Sequence, residues 1–222
     1  MSIKLVSFPI CPYVQRSVML LEKLGREYEV EYIDLANPPE WFLDISPLGK
    51  VPVLQIDDTV LFESHVILEY LNEVADVSYH PADPLEKAHH RAMMEFGSAM
   101  LGSQWMTMAA KDEAGVGKHL GALLGMMKTL ENSIDPAPFY AGKDLHIIDF
   151  SYAPLLQRLE ILNRHFEPTL FDDFPKIKAW TQAIIELDVL KRSAVPDLEE
   201  RILKVTKDMG SYIANEAYTC RN

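Results

Sequence analysis

The sequence predicts a two-part chain, with an α/β domain over residues 1–75 followed by an all-helical domain over residues 85–222. Strand-like runs and helical patterns alternate in the first third of the 222 residues. From Leu85 onward only long helical patterns recur. Between the two parts lies the short, turn-rich stretch "DVSYHPADP", which predicts a linker at residues 76–84.

The first part begins with a predicted β-α-β unit. Lys4–Phe8 is rich in β-forming residues, and Pro12 fits the first position of a helix that Gly25 ends. Tyr28–Ile33 then alternates between apolar and charged residues, as a strand does. A β-α-β unit implies parallel strands joined by a right-handed crossover.

The rest of the first part predicts a loop, a hairpin and a helix. The stretch "NPPEWFLDISPLGK" indicates a loop with one helical turn. Val51–Ile56 and Val60–Phe62 flank two aspartates and predict a hairpin. An amphipathic helix follows from Ser64 to Val74. The resulting order of elements is thioredoxin-like. In the second part, helices are predicted at about 85–111, 116–134, 149–165, 174–187 and 196–208.

Composition and charge exclude several classes of function. The formal net charge of −12 opposes binding to nucleic acid or to an anionic membrane. No apolar run reaches the roughly 18 residues of a membrane helix, and "MSIKLVSF" lacks the features of a signal peptide. Two distant cysteines, Cys11 and Cys220, make no disulfide framework, which favours a reducing cytoplasm.

Cys11 is the candidate nucleophile, because it stands just before the predicted first helix. Free N–H groups and the helix dipole favour negative charge there, so we expect its thiol to ionise below the free value of about 8.5. The alternative is a buried cysteine that acts as a small hydrophobe, but the Cys-Pro pair at a strand-to-helix junction favours the reactive role. Val14 stands where a redox pair has its second cysteine. A mixed disulfide at Cys11 therefore needs an external thiol, unless the C-terminus folds back and brings Cys220 near.

Two further stretches have features of a peptide-binding site. Pro52 opens a strand after Val51, and a cis bond there would expose the backbone of Val51 to an extended peptide. An ordinary edge-strand proline is the alternative. Glu63 and Ser64 begin the next helix, where Ser64 could simply be the N-cap. Helix-start N–H groups also bind carboxylates, and Glu63 offers an anion for an ammonium group. A γ-glutamyl group meets both demands.

In combination, "CPYVQR", "NPPEWF", "SPLGKVPVL" and "ESHVILEYL" resemble the cytosolic glutathione transferases. The resemblance extends over essentially the whole chain and is greatest to the cysteine-type omega class and its bacterial relatives. The segment "LHIIDFSYAPLL" is similar to the family's buried helix-capping segment. The resemblance implies the glutathione transferase architecture, glutathione as co-substrate and a homodimer.

Residue by residue, the resemblance also implies roles in the site. Cys11 would form a mixed disulfide with glutathione, and Tyr13 matches an aromatic residue next to the thiol. Val51 would pair with the cysteinyl backbone of glutathione beside a cis Pro52. Glu63 and Ser64 would hold its γ-glutamyl end.

Two positions depart from the family pattern. Pro38 corresponds to a lysine that helps to bind glutathione in animal omega proteins, so Lys50 would supply the charge and the contact of the glycyl carboxylate stays open. His146 stands three residues before Asp149, where the family's capping segment begins with Ser or Thr. An imidazole nitrogen could still accept the capping bond, which predicts a weaker cap.

The helical part offers an acceptor pocket and no metal site. His89 and His90 are adjacent and face different sides of a helix, and with His80 and Glu86 they make no zinc spacing. A helical stripe predicts core packing, and part of it could line an acceptor pocket with Trp105, at which Met108 is the second candidate. The stripe consists of Met93, Gly97, Met100, Leu101, Gln104 and Met108.

The predicted function is that of a cytoplasmic, glutathione-dependent enzyme of thiol–disulfide exchange. It would reduce glutathionyl adducts, with dehydroascorbate as a further substrate, and would conjugate electrophiles weakly. One alternative is a non-catalytic transcription or stress partner similar to stringent starvation protein A. That family has a segment similar to "YAPLLQRL" but generally lacks the Cys-Pro motif. Another is a membrane-inserting relative of the chloride intracellular channel type, for which "MLLEKLGREYEVE" is too charged.

Overall fold

The first part of the chain folds around a four-stranded mixed sheet. The structure is a computed structural model that describes residues 2–136 and 138–215. The strands lie in the order β2-β1-β3-β4. They are β1 (Ile3–Ser7), β2 (Glu29–Tyr32), β3 (Val53–Ile56) and β4 (Thr59–Phe62). Three helices accompany them: α1 (Pro12–Leu24), α2 (Glu40–Ile45) and α3 (Ser64–Glu73).

The strand pairing confirms the predicted layout. β1 and β2 are parallel, and α1 is the crossover between them. β3 is antiparallel to both β1 and β4, so β3 and β4 form the predicted hairpin. The predicted cis peptide bond between Val51 and Pro52 is present.

The ends of α1 and α3 lie within one residue of their predicted positions. Cys11 is the N-cap of α1, and Gly25 ends the helix in the left-handed conformation with φ 61°, which glycine adopts without steric cost. At α3 the alternative that Ser64 is the N-cap is wrong. Glu63 holds that position with φ 70°, and Ser64 is the first helical residue.

The second part of the described chain is helical and contains no strand of the sheet. Its helices are α4 (Pro84–Ala109), α5 (Glu113–Ser133), α6 (Ile147–His165), α7 (Pro175–Ile185), α8 (Asp188–Arg192) and α9 (Leu198–Asp208), followed by a 3-10 turn at Tyr212–Ala214. The sequence did not predict α8, which has only five residues. The architecture is the predicted one, whereas the linker at 76–84 stays a prediction. None of the described helices is long and apolar enough to cross a membrane.

Helix α6 forms the centre of the helical part and is anchored by Asp149. The Asp149 carboxylate is fully buried and accepts hydrogen bonds from the N–H groups of His146 and Tyr140 and from Nε1 of Trp180, at 2.8, 2.9 and 2.8 Å. The Nδ1 atom of His146 is buried without a hydrogen-bond partner. The predicted cap therefore rests on the Asp149 carboxylate rather than on the imidazole.

Helix α1 joins the two parts, since it packs against α3 on one side and against α6 and α8 on the other. A surface ion pair of 2.7 Å between Arg192 and Glu22 reinforces the contact with α8. The start of α1, with Cys11, consequently lies where the sheet domain meets the helical part.

Candidate functional site around Cys11

A cavity of about 740 Å³ opens at the start of α1, between the sheet domain and the helices α4, α6 and α9. Every site residue that the sequence predicted lies on its wall. These residues are Cys11, Tyr13, Lys50, Val51, Pro52, Glu63, Ser64, Trp105 and Met108. The cavity also has lining residues that the sequence did not single out, of which Ser46, His65, Glu95, Ser98 and Arg158 are polar.

The Cys11 thiol is held in a buried position at the N-terminus of α1. The residue is 5% exposed, and its N–H donates to the carbonyl of Phe8 at 3.0 Å. Burial raises the pKa of the Cys11 thiol, although the N–H groups of Val14 and Tyr13 oppose the rise. The expectation of a lowered pKa is therefore wrong for the unliganded protein, because the cost of taking the thiolate out of water exceeds the stabilisation at the helix start.

Arg158 of α6 reaches from the helical part to the cysteine. Its Nη2 donates to the carbonyl of Ile10 at 2.9 Å, and its Nη1 donates to Oε1 of Gln15 at 2.8 Å and to the carbonyl of Pro154 at 2.9 Å. Burial lowers the pKa of Arg158 to about 10, so the guanidinium stays charged at neutral pH. The same guanidinium opposes the rise in the pKa of Cys11.

Arg16 is a second buried cation in the vicinity of Cys11. Its Nη1 donates to the hydroxyl groups of Ser64 at 3.1 Å and Ser98 at 3.2 Å, and lies 2.7 Å from Nε2 of His65. The guanidinium stacks over the ring of Tyr13, 5.3 Å from its centroid. Burial lowers the pKa of Arg16 to about 10, which leaves it charged as well.

His65 connects Arg16 to helices α4 and α6. Its Nδ1 lies 2.7 Å from Oε1 of Glu95, and its Nε2 lies 2.9 Å from the hydroxyl of Ser151. Burial, followed by the charge of Arg16, lowers the pKa of His65. A neutral ring that donates from Nδ1 to Glu95 and accepts from Arg16 at Nε2 satisfies both contacts.

The edge of the cavity is formed by the loop before β3 and by the start of α3. The hydroxyl of Ser46 donates to the carbonyl of Lys50 at 2.8 Å and accepts from its N–H at 2.9 Å, which fixes the loop that leads to Val51. Glu63 is exposed and holds a positive φ of 70°. Such a conformation costs a residue with a side chain about 1–3 kcal/mol and is commonly kept where ligands bind. Pro38 is absent from the cavity wall among the described residues.

The two candidates for the acceptor-substrate pocket, Trp105 and Met108, lie on α4. Trp105 is 38% exposed, whereas Met108 is buried and in contact with Nε2 of Gln104 at 2.7 Å. Most of the predicted methionine stripe is buried, which confirms its role in the core; only Met93 is partly exposed.

A metal site and the second cysteine, Cys220, are the remaining features that the sequence raised. The described residues contain no group of three metal-ligating side chains placed to hold an ion. Cys220 lies outside the described residues, so its reach toward Cys11 stays a prediction.

Comparisons with known proteins agree with the resemblance of the motifs. The family model for the N-terminal domain of glutathione S-transferases matches residues 10–74, and that for the C-terminal domain matches residues 99–183. The chain is 32% identical to rat glutathione S-transferase omega-1, over 83% of this chain and 77% of the relative. It is 33% identical to Arabidopsis thaliana glutathione S-transferase DHAR2, over 71% and 70%.

A solved structure is similar to the fold as a whole. It is a glutathione S-transferase of Methylobacillus flagellatus with bound glutathione, which superposes with a TM-score of 0.75 at 21% identity. The match covers 87% of this chain and 99% of that structure. At this identity the likeness concerns the fold.

Proposed function

The chain belongs to the glutathione S-transferase superfamily, and from this premise we propose that it is a thiol transferase that uses Cys11 to form a mixed disulfide with glutathione. The observation that carries the proposal is the position of Cys11. It lies at a helix start on the wall of the large cavity, and a thiolate there would have the helix N–H groups and two buried cations nearby.

The proposed reaction is a pair of thiol–disulfide exchanges. The Cys11 thiolate attacks the glutathione sulfur of a mixed disulfide, the new S–S bond forms, and the substrate leaves as a thiolate that takes up a proton. A second glutathione thiolate then attacks the sulfur of the bound glutathione. Oxidised glutathione leaves, and Cys11 returns as the thiolate. Because Val14 replaces a second cysteine, this external thiol resolves the intermediate.

Glutathione itself would occupy the side of the cavity next to the sheet. We assign the γ-glutamyl end to Glu63 and Ser64, and the cysteinyl backbone to Val51 beside Pro52. The hydroxyl of Ser64 lies at the first turn of α3 and is backed by the charge of Arg16, which supports a carboxylate at this place. Tyr13 would lie next to the thiol, and Lys50 would supply a charge for the glycyl carboxylate.

The remaining parts of the proposal concern the acceptor, the assembly and the location. We place the acceptor between Trp105 and Met108 of the helical part. Residues 1–75 would form the glutathione-binding domain, and residues 85–222 would carry the acceptor site. A homodimer is proposed from the family resemblance. A cytoplasmic location is proposed from the low cysteine content and the family.

The test is the intact mass of the protein after incubation with oxidised glutathione. Wild type should gain one glutathionyl group, and Cys11→Ser should gain none at that site. Coupled turnover of hydroxyethyl disulfide should be abolished in Cys11→Ser, which could instead gain conjugation of a chlorodinitrobenzene-type electrophile. Val14→Cys, which adds a resolving thiol one turn away, should depend less on glutathione.

The same assays decide against the proposal in two ways. Strong conjugation without exchange, unaffected by loss of Cys11, would contradict the cysteine mechanism. Glutathione binding without either reaction would favour the non-catalytic, partner-binding alternative.

A further inference from the structure

Two buried guanidinium groups near Cys11 have no carboxylate partner within the described part of the chain. Arg16 is fully buried and Arg158 is 5% exposed. Neither belongs to any ion pair formed by the described residues. The protein carries a net charge of −12, so anionic partners are abundant elsewhere on it. Burying an unpaired cation is costly unless an anion neutralises it.

The arrangement of the two cations points to one place for that anion. Arg158 lines the cavity that Cys11 faces, and its Nη2 holds the carbonyl of Ile10, the residue before the cysteine. Arg16 lies on the same helix as the cysteine, 1.4 turns further along α1. Nε and Nη2 of Arg16 are buried without hydrogen-bond partners. Hydrogen bonds to neutral groups therefore stabilise only part of the charged guanidinium.

We propose that Arg158 and Arg16 are the counter-charges of the thiolate at Cys11, and that Arg158, reaching across from the helical part, also positions the cysteine loop. The proposal rests on the proposed function, because it presumes that Cys11 reacts as a thiolate. In this arrangement the thiolate neutralises charges that the fold has already buried. The helical part thereby contributes to reactivity at a cysteine that belongs to the sheet domain.

The other ionisable groups around Cys11 do not replace the two arginines. Tyr13 on α1 carries no charge at neutral pH, since burial raises its pKa. Two carboxylates on the cavity wall would oppose a thiolate, and one of them, Glu95, is paired with His65. The ionisable side chains on the cavity wall are Cys11, Tyr13, Lys50, Glu63, His65, Glu95 and Arg158.

Variants of the two arginines allow the effect of charge to be tested separately from the effect of positioning. Arg158 holds the loop through the hydrogen bond from Nη2 to the carbonyl of Ile10, while Nη1 donates to Gln15 of α1 and to the carbonyl of Pro154 in its own helix. Lysine cannot reproduce this planar fork. Arg16 donates to Ser64 and Ser98, and none of its hydrogen bonds to described residues reaches the loop before Cys11. Arg158→Lys therefore keeps a charge and loses the fork, whereas Arg16→Gln removes a charge and leaves the fork in place.

The experiment measures how fast iodoacetamide alkylates Cys11 as a function of pH, without glutathione, with peptide mapping to assign the site. The variants are Arg16→Gln, Arg158→Gln and Arg158→Lys. The matched control is Arg164→Gln, which removes a cation from the same helix α6 at an exposed position paired with Glu199. A second reagent, the anionic iodoacetate, is compared with iodoacetamide at a pH above the midpoint. Above the midpoint Cys11 is already ionised, so the ratio of the two rates reports the electrostatic potential at the thiolate.

We expect the midpoint of the pH profile to rise by about one unit in Arg16→Gln and in Arg158→Gln, which is a roughly tenfold slower reaction below both midpoints. The ratio of iodoacetate to iodoacetamide rates should fall in the same two variants and stay unchanged in Arg164→Gln. Arg158→Lys should keep a midpoint near wild type but react more slowly above it, since the loop is no longer fixed.

Each contrary outcome refutes a specific part of the proposal. An unchanged midpoint and an unchanged rate ratio in folded Arg16→Gln would overturn the counter-charge, whatever happens to the folding of Arg158→Gln. An Arg158→Lys that behaves as wild type at every pH would overturn the positioning role. If wild-type Cys11 is not alkylated at any pH, the proposed function fails together with the inference, whereas alkylation without dependence on the arginines refutes the inference alone.

Discussion

Gly97 of α4 lies against the ring of Tyr152 of α6, and replacing it gives a quantitative test of the packing. A Cβ atom at this position would lie 2.7 Å from Cζ and 2.8 Å from Cε2 of Tyr152. Ordinary contact begins at 3.4 Å, so the Tyr152 ring would have to move by about 0.7 Å. The ring is fully buried, packs against Trp180 at 5.1 Å between centroids, and donates its hydroxyl to the carbonyl of Met93 at 2.6 Å.

Three contributions determine the expected effect of Gly97→Ala. Overpacking costs about 1–3 kcal/mol, and weakening the hydrogen bond between Tyr152 and Met93 costs about 1 kcal/mol more. The higher helix propensity of alanine offsets about 1 kcal/mol. We therefore expect the free energy of unfolding to fall by about 2 kcal/mol, and Tm to fall by about 4–8 °C for a chain of this length.

Gly102 provides a control on the same helix. Nothing lies within 4 Å of a Cβ atom at Gly102, so Gly102→Ala gains only helix propensity and should raise the free energy of unfolding by about 1 kcal/mol. Urea unfolding followed by circular dichroism measures both variants. Opposite signs are expected. If both variants shift stability in the same direction, or if Gly97→Ala is as stable as wild type, the tight α4–α6 contact does not have the importance assigned to it.

Three further predictions concern the ligand and the core. Glu63→Ala and Ser64→Ala should each weaken glutathione binding roughly 10- to 150-fold in calorimetric titration, because a lost charged hydrogen-bond partner costs about 1.5–3 kcal/mol; unchanged affinity in both folded variants would place the ligand elsewhere. Burial, followed by the charge of a neighbouring histidine, lowers the pKa of His90 to about 4 from 6.5. The unfolded chain thus binds the extra proton more readily, and the free energy of unfolding should fall as the pH drops from 6.5 to 4; stability curves that run parallel in wild type and His90→Leu would contradict this. Asp149→Ala leaves three buried donors without an acceptor and should cost on the order of 3 kcal/mol or more, whereas Asp144→Ala, at an exposed residue of the preceding loop, should unfold as wild type does.

The fold was predictable because its elements have distinct periodicities. Alternation in the strands and helical spacing from Leu85 onward each extend over enough residues to be recognised. Helix α8 was missed because its five residues are too short for a period of 3.6 to emerge. The shift of the N-cap from Ser64 to Glu63 depends on a backbone dihedral angle of 70°, which a sequence with serine at the next position does not indicate.

The residues of the cavity wall were predictable where they belong to local sequence motifs. They were not predictable where their role depends on burial by elements that are distant in the sequence. Arg16 and Arg158 were missed, because a charged residue in a helix is ordinarily expected to face water. The available signal was their setting: Arg158 lies in a helix whose residues from 147 to 162 are almost all buried. The raised pKa of Cys11 was likewise missed, since the sequence indicates the helix start but not that the thiol is only 5% exposed.

The positive φ of Glu63 has a consequence for laboratory evolution. Glycine adopts φ 70° freely, so Glu63→Gly relieves the strain in the backbone. The free energy of unfolding should rise by on the order of 1 kcal/mol. A library selected only for survival at high temperature would therefore enrich this substitution, and the enriched clones would lack the carboxylate at the mouth of the cavity. If Glu63 holds the γ-glutamyl end as proposed, selection for stability and selection for ligand binding act in opposite directions at this position, and a screen of this protein needs a binding step in every round.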